Sequence, residues 1–159
     1  MMKTLIVDDE RLARSELRRM LLKQGIAGEI QEAASVEEAL QCMLWGRPDV
    51  IFLDIQMPGG SGFTLLPLIE KPRPPVIFTT AHEQFALQAF EEEAVDYLLK
   101  PFGDDRLARA VARIPSWGKD QSMIAEDDTI LLKIDEGCQL LRVAEIEVLE
   151  TIGSSTHVH

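Results

Sequence analysis

A chain of 159 residues with an ordinary apolar share of 46% has material for one packed domain and a smaller appendage, which excludes disorder along its whole length. Its formal charge of −11 excludes a firm grip on a nucleic-acid backbone by these residues alone and makes a cation the natural small ligand. The two cysteines, Cys42 and Cys138, lie far apart and indicate neither a disulfide framework nor a thiolate metal site, and no run approaches the roughly 18 apolar residues of a membrane span, so a cytoplasmic protein without a membrane partner is expected.

Taken from the amino terminus, Leu5 to Val7 is a short apolar run that stops on Asp8, Asp9 and Glu10. Arg11 to Leu22 follows as a helix, with Leu12, Leu17, Met20 and Leu21 near helical spacing. A weaker strand is expected around Glu29 to Ala33, then a helix over Ser35 to Trp45 that opens with a capping box, Ser35 and Glu38. Val50 to Leu53 is the next apolar run. A third helix is expected from about Gly62 to Ile69, stopped by Lys71-Pro72-Arg73-Pro74-Pro75. Val76 to Thr79, a helix over Glu83 to Glu91, a strand over Asp96 to Leu99 and a helix over Asp104 to Arg113 complete five βα units. Continuous apolar strands are those buried on both faces, and their alternation with helices predicts an α/β fold with a parallel sheet covered on both sides.

After Ile114 the apolar period disappears, and residues 116–128 are expected to be a linker. Thr129 to Ile134 and Gln139 to Val143 are β-like runs expected to form a hairpin through Asp135-Glu136-Gly137-Cys138, and Val148 to His159 supplies material for one more strand.

In an open parallel sheet, ligands bind beyond the carboxyl ends of the strands where the strand order reverses. Asp8 and Asp9 follow the first strand and Asp54 follows the third, so if those strands are neighbours three carboxylates converge. Their crowding is relieved by a divalent cation or by a proton held on one of them. Mg²⁺ suits a site of few carboxylates because it takes hard oxygen ligands and keeps several waters. Thr80 closes the fourth strand and Lys100 the fifth. A carboxylate nucleophile, a hydroxyl, an ammonium and Mg²⁺ together describe a pocket for a phosphoryl group on an acid.

Over residues 1 to about 115, with Leu5-Ile6-Val7-Asp8-Asp9-Glu10, Leu53-Asp54-Ile55-Gln56-Met57-Pro58-Gly59-Gly60-Ser61-Gly62 and Asp96-Tyr97-Leu98-Leu99-Lys100-Pro101-Phe102 in that order, the chain resembles the receiver domain of two-component response regulators. The resemblance implies a flavodoxin-like (βα)5 doubly wound sheet of order 2-1-3-4-5 with a short β-rich appendage. It makes Asp54 the phosphoacceptor, Asp8 and Asp9 the acidic pair with Asp9 the more direct metal ligand, and Gln56 a metal ligand through its backbone carbonyl. Thr80 becomes the switch hydroxyl, Tyr97 the switch aromatic and Lys100 the phosphate-pairing lysine, with the Lys100–Pro101 bond cis. A sensor histidine kinase as phosphodonor and a homodimer formed on phosphorylation are implied as partners. The stretch from Phe78 to Phe102 is similar to regulators whose output is a LytTR-type DNA-binding domain, and 129–159 resembles the start of that domain, with DNA contacts expected from its remainder.

Plainer readings exist for each residue. Asp8 and Asp9 suit a helix N-terminus, Asp54 suits the turn ahead of Pro58-Gly59-Gly60, Thr79 stands beside Thr80 as a competitor, and Tyr97 can be a packing residue. His82, His157 and His159 do not cluster at a metal spacing. A Mg²⁺-dependent phosphohydrolase would also use an aspartyl phosphate, but the place two residues after Asp54, where such enzymes often carry a second acid, holds Gln56. A regulatory, non-enzymatic protein is therefore expected, with a receiver-only adaptor as the further alternative.

Overall fold

The computed structural model describes residues 1–115 and the strand backbones 129–134, 137–142, 149–152 and 155–158. The five βα units expected from the sequence are present: β1 (Met2–Val7), α1 (Arg11–Lys23), β2 (Ala27–Ala33), α2 (Val36–Trp45), β3 (Val50–Asp54), β4 (Gln56–Met57), β5 (Gly60–Ser61), a 3₁₀ helix (Gly62–Leu68), β6 (Val76–Thr80), α3 (Ala86–Glu91), β7 (Asp96–Leu99) and α4 (Asp104–Ala112). The main sheet is wholly parallel and five-stranded, in the order β2-β1-β3-β6-β7. With the small β4–β5 hairpin set aside, that is 2-1-3-4-5.

Strand alternation sorts the core into two layers. Ile6, Phe52, Ile77 and Leu98 project to one face, where they meet Leu17, Met20 and Leu21 of α1 and Leu107, Ala110 and Val111 of α4. Leu5, Val7, Ile51, Leu53 and Phe78 project to the other, against Ala39 of α2, Leu65 and Leu66 of the 3₁₀ helix and Ala89 of α3. Inner strands buried on both faces explain why β1, β3 and β6 read as unbroken apolar runs. β2 is an edge strand, and its Glu29, Gln31 and Glu32 make it the weak one in sequence.

Three local expectations change. Residues 62–68 wind as a 3₁₀ helix, because Pro67 lies inside and has no N–H for an α-type bond. The expected helix over Glu83 to Glu91 divides into a 3₁₀ turn, Glu83–Phe85, and the shorter α3. The capping box at α2 is formed, with Ser35 Oγ accepting from Glu38 N at 3.1 Å, but the Glu38 carboxylate reaches back to Ala34 N at 2.8 Å.

Beyond Pro115, β8 (Thr129–Ile134) pairs antiparallel with β9 (Gly137–Arg142), and Gly137 and Cys138 belong to the strand rather than the turn because they pair with Ile134 and Lys133. β10 (Leu149–Ile152) and β11 (Ser155–Val158) pair antiparallel, two strands in place of the one further strand expected. The expected linker at 116–128, Asp135, Glu136 and Val143 lie outside the described residues. Among the described residues no helix is long and apolar enough to cross a membrane.

Candidate functional site: a carboxylate cluster at the carboxyl edge of the sheet

The register of the sheet assembles the site. Val7 is level with Leu53, Asp54 with Thr79, and Thr80 with Leu99, so the carboxyl ends of β1, β3, β6 and β7 finish together. Asp8, Asp54, Thr80 and Lys100 therefore arrive at one edge, beside the point where chain order reverses between β1 and β3.

Asp8, Asp9 and Asp54 each offer a carboxylate oxygen within 4.8 Å of the others. Asp8 and Asp54 are buried, Asp9 half-buried. The Lys100 ammonium lies 2.6 Å from Asp8 Oδ2 and 3.7 Å from Asp54 Oδ1. The second Asp8 oxygen accepts from Glu10 N at 2.9 Å. With both Asp8 oxygens engaged, Asp9 and Asp54 carry the lone pairs most open to a further cation. One ammonium facing three carboxylates leaves an excess of negative charge, and an all-oxygen donor set of this kind fits Mg²⁺.

Burial pushes the Asp54 carboxyl up to about 6, repulsion from Asp8 and Asp9 adds to the rise, and Lys100 together with the Gln56 backbone N–H opposes it. For Lys100, burial alone would lower the ammonium; the Asp8 hydrogen bond and the charges of Asp54, Asp8 and Glu10 outweigh it, and the group is raised. Both groups stay charged at neutral pH.

The Lys100–Pro101 peptide is cis, as expected, and so is Lys71–Pro72. Thr79 and Thr80 are both buried. Thr79 is the one level with Asp54, while Thr80 stands one residue further along, where its Oγ1 accepts from His82 N at 3.2 Å. Tyr97 is half-buried against the core layer of β6 and α3, and its hydroxyl donates to the His82 carbonyl. Burial raises that phenol to about 12. The two residues expected to act as a switch thus hold opposite ends of His82, Thr80 at its N–H and Tyr97 at its C=O. That meeting point was not visible in sequence, because both bonds go to backbone.

Gly62 is a second residue the sequence reading did not single out for the site. Its N–H donates to Ile55 O at 2.7 Å as the chain returns from the β4–β5 hairpin, and a Cβ there would fall 2.1 Å from the Asp54 carbonyl oxygen. Only glycine permits that approach, which holds the loop after Asp54 against β3. Gln56 opens β4 and is exposed.

Comparison with known proteins places the fold in a family. Residues 4–112 match the family described as the response regulator receiver domain. The transcriptional regulatory protein LytR of Staphylococcus aureus is 39% identical over 99% of this chain and 69% of its own length. The sensory transduction protein LytT of Bacillus cereus is 36% identical over 92% of this chain and 64% of its own. Among solved structures, the response regulatory domain of mrkE from Klebsiella pneumoniae is 32% identical with a TM-score of 0.65, covering 71% of this chain and 94% of that one. The response regulator TrrA of Thermotoga maritima, solved with Mg²⁺ and BeF, is 34% identical with a TM-score of 0.64, covering 72% of this chain and 99% of that one. With the family match spanning the whole carboxylate site and the βα units around it, this chain belongs to the response regulator receiver family, and its relatives include the transcriptional regulatory protein LytR and the sensory transduction protein LytT.

Proposed function

We propose that this chain is a phosphorylation-operated switch of a two-component system, working in the cytoplasm as a regulator rather than as an enzyme. Asp54 takes a phosphoryl group from the phosphohistidine of a sensor histidine kinase, and the altered surface controls self-association and a DNA-binding transcriptional output. The observation that carries the reading is the convergence of Asp8, Asp9 and Asp54 with Lys100 at the carboxyl edge of the sheet.

In this reading an Asp54 carboxylate oxygen bonds to phosphorus while the phosphorus–nitrogen bond to the kinase imidazole breaks, and the bonding pair leaves with the imidazole nitrogen. Asp54 is available as a nucleophile because its carboxyl, though raised to about 6, is mostly ionised at neutral pH. Lys100 pairs with a phosphoryl oxygen, and the Thr80 hydroxyl donates to another once released from His82. Asp9 and Asp54, with Asp8 and the Gln56 backbone carbonyl, would hold a Mg²⁺ ion, which would supply positive charge against the phosphoryl oxygens. Tyr97, bonded to the His82 carbonyl one peptide further on, carries the movement of His82 towards α3 and β7.

Residues 1–115 form the receiver in this proposal, 116–128 the linker and 129–159 the opening of a β-rich output of LytTR type. Two antiparallel strand pairs within 129–158 support it, as does alignment along 99% of this chain with a relative named as a transcriptional regulatory protein. DNA contact belongs to the output, since the net charge of the chain is acidic.

The test is incubation with acetyl phosphate and Mg²⁺ followed by intact-mass measurement. Wild type should gain one acid-stable, base-labile phosphoryl group, and labelling of Asp54→Asn to the same extent would overturn the assignment.

A further inference from the structure

The backbone that carries the two amino-terminal acids is held from below by one side chain. Arg14, on the first turn of α1, donates from one guanidinium nitrogen to the Asp8 carbonyl at 2.7 Å and to the Asp9 carbonyl at 3.3 Å. Its Nε donates to Glu32 Oε2 at 3.2 Å, on edge strand β2. The side chain is only 15% exposed. The planar guanidinium fork thus ties the β1–α1 corner, the loop acids and β2 together, a geometry that a lysine cannot reproduce because its single nitrogen cannot occupy both ends of the fork.

Resting on the phosphoryl-switch reading, we infer that Arg14 is a positioning residue for cation binding: it fixes the Asp8 and Asp9 peptides and so sets where the Asp9 carboxylate stands relative to Asp54. Three observations make the clamp more than a surface ion pair. It grips main chain, which surface salt bridges do not need to do. It acts on the two residues whose carboxylates converge with Asp54. Asp8 is already committed through both its oxygens, to Lys100 and to Glu10 N, so the freedom left in the loop is that of Asp9, and the Asp9 carbonyl is what Arg14 holds. Groups that orient metal ligands without touching the metal typically affect affinity by about 10–100-fold. Arg18 provides an internal control. It lies one turn along α1 and bonds the same Glu32 carboxylate at 3.4 Å, but its other bond goes to the Ile30 carbonyl, away from the acids.

The experiment is calorimetric titration of the full chain with MgCl₂ for wild type, Arg14→Ala, Arg14→Lys and Arg18→Ala, with thermal unfolding of each metal-free protein alongside. Arg14→Ala should bind Mg²⁺ about tenfold more weakly than wild type, Arg14→Lys should fall between, and Arg18→Ala should stay within about twofold. Arg14→Lys keeps the charge and most of the volume, so it decides the matter if the alanine variant does not fold. Wild-type affinity in both Arg14 variants would overturn the clamp while leaving the site reading intact, and so would an equal loss in Arg18→Ala, which would assign the effect to Glu32 or to net charge. A wild-type chain that binds no Mg²⁺ would overturn the site reading and the clamp with it.

Discussion

An ionised Asp54 costs the folded chain stability at neutral pH. Its carboxyl titrates at about 6 in the fold against an ordinary 3.8, so the folded state keeps this proton to higher pH than the unfolded chain does. The stabilising contribution of the protonated group is complete below 3.8 and is lost as pH rises through about 6. Asp54→Asn should therefore raise the unfolding free energy by about 2 kcal/mol at pH 7 in chelator-treated protein, with the gain largely gone at pH 4. Denaturant titration at the two pH values checks this, and a less stable asparagine variant at pH 7 would contradict it. Asp9 and Glu10 separate ligand from helix start: Asp9 converges with Asp54, whereas Glu10 is the exposed N-cap of α1. Asp9→Ala should weaken Mg²⁺ about tenfold or more and Glu10→Ala hardly at all, read by titration, and superimposable curves would count against the site. Thr80 and Thr79 part on their bonds. Thr80→Ala should keep Asp54 labelling and lose phosphorylation-dependent self-association, because the His82 N–H donates to the Thr80 hydroxyl; the reverse pattern in Thr79→Ala would reassign the switch.

At the scale of elements, β7 and α4 are joined by a carboxylate with two cationic partners. The Asp96 side chain, 6% exposed, accepts from Arg106 at 2.7 and 2.8 Å and from Arg113 at 2.9 Å, and Arg106 also bonds the Tyr97 carbonyl. Asp96→Ala should cost about 3 kcal/mol by removing the three charge-assisted hydrogen bonds that this buried carboxylate accepts, measured as a fall in the unfolding free energy. An exposed pair would cost far less. The central strands were legible because Val50–Leu53 and Val76–Thr79 are apolar on both faces, and the site was legible because Asp8, Asp54, Thr80 and Lys100 each terminate such a run. What escaped the reading followed from backbone geometry. Pro67 converted a helix to 3₁₀, the two-residue strands β4 and β5 are too short to show a period, and Gly62, Arg14 and the His82 peptide act through main-chain contacts that leave no pattern in side-chain type.

For the whole molecule, the face of α3 and β7 presents Leu87, Phe90 and Leu99, at 43%, 41% and 36% exposure, beside the bonded pair of Tyr97 and His82. Exposed apolar groups beside the Tyr97–His82 bond would suit a second copy of the chain. Phe90→Glu should preserve Asp54 labelling and abolish the shift to dimer in sedimentation, and an unchanged shift would place the interface elsewhere. Among the residues whose burial is described, both buried clusters lie within 2–114; truncation after Pro115 should leave labelling and the unfolding midpoint nearly unchanged, and a large fall would show the appendage packing as part of the same core. The central claim is that one carboxylate, Asp54, carries the phosphoryl group. Borohydride reduction of acetyl-phosphate-treated protein, which converts an aspartyl phosphate to homoserine, followed by peptide mass mapping, tests it most directly. The account predicts homoserine at position 54 and at no other aspartate, and reduction at position 8 or 9, or a phosphoryl group resistant to borohydride on Thr79 or Thr80, would contradict it.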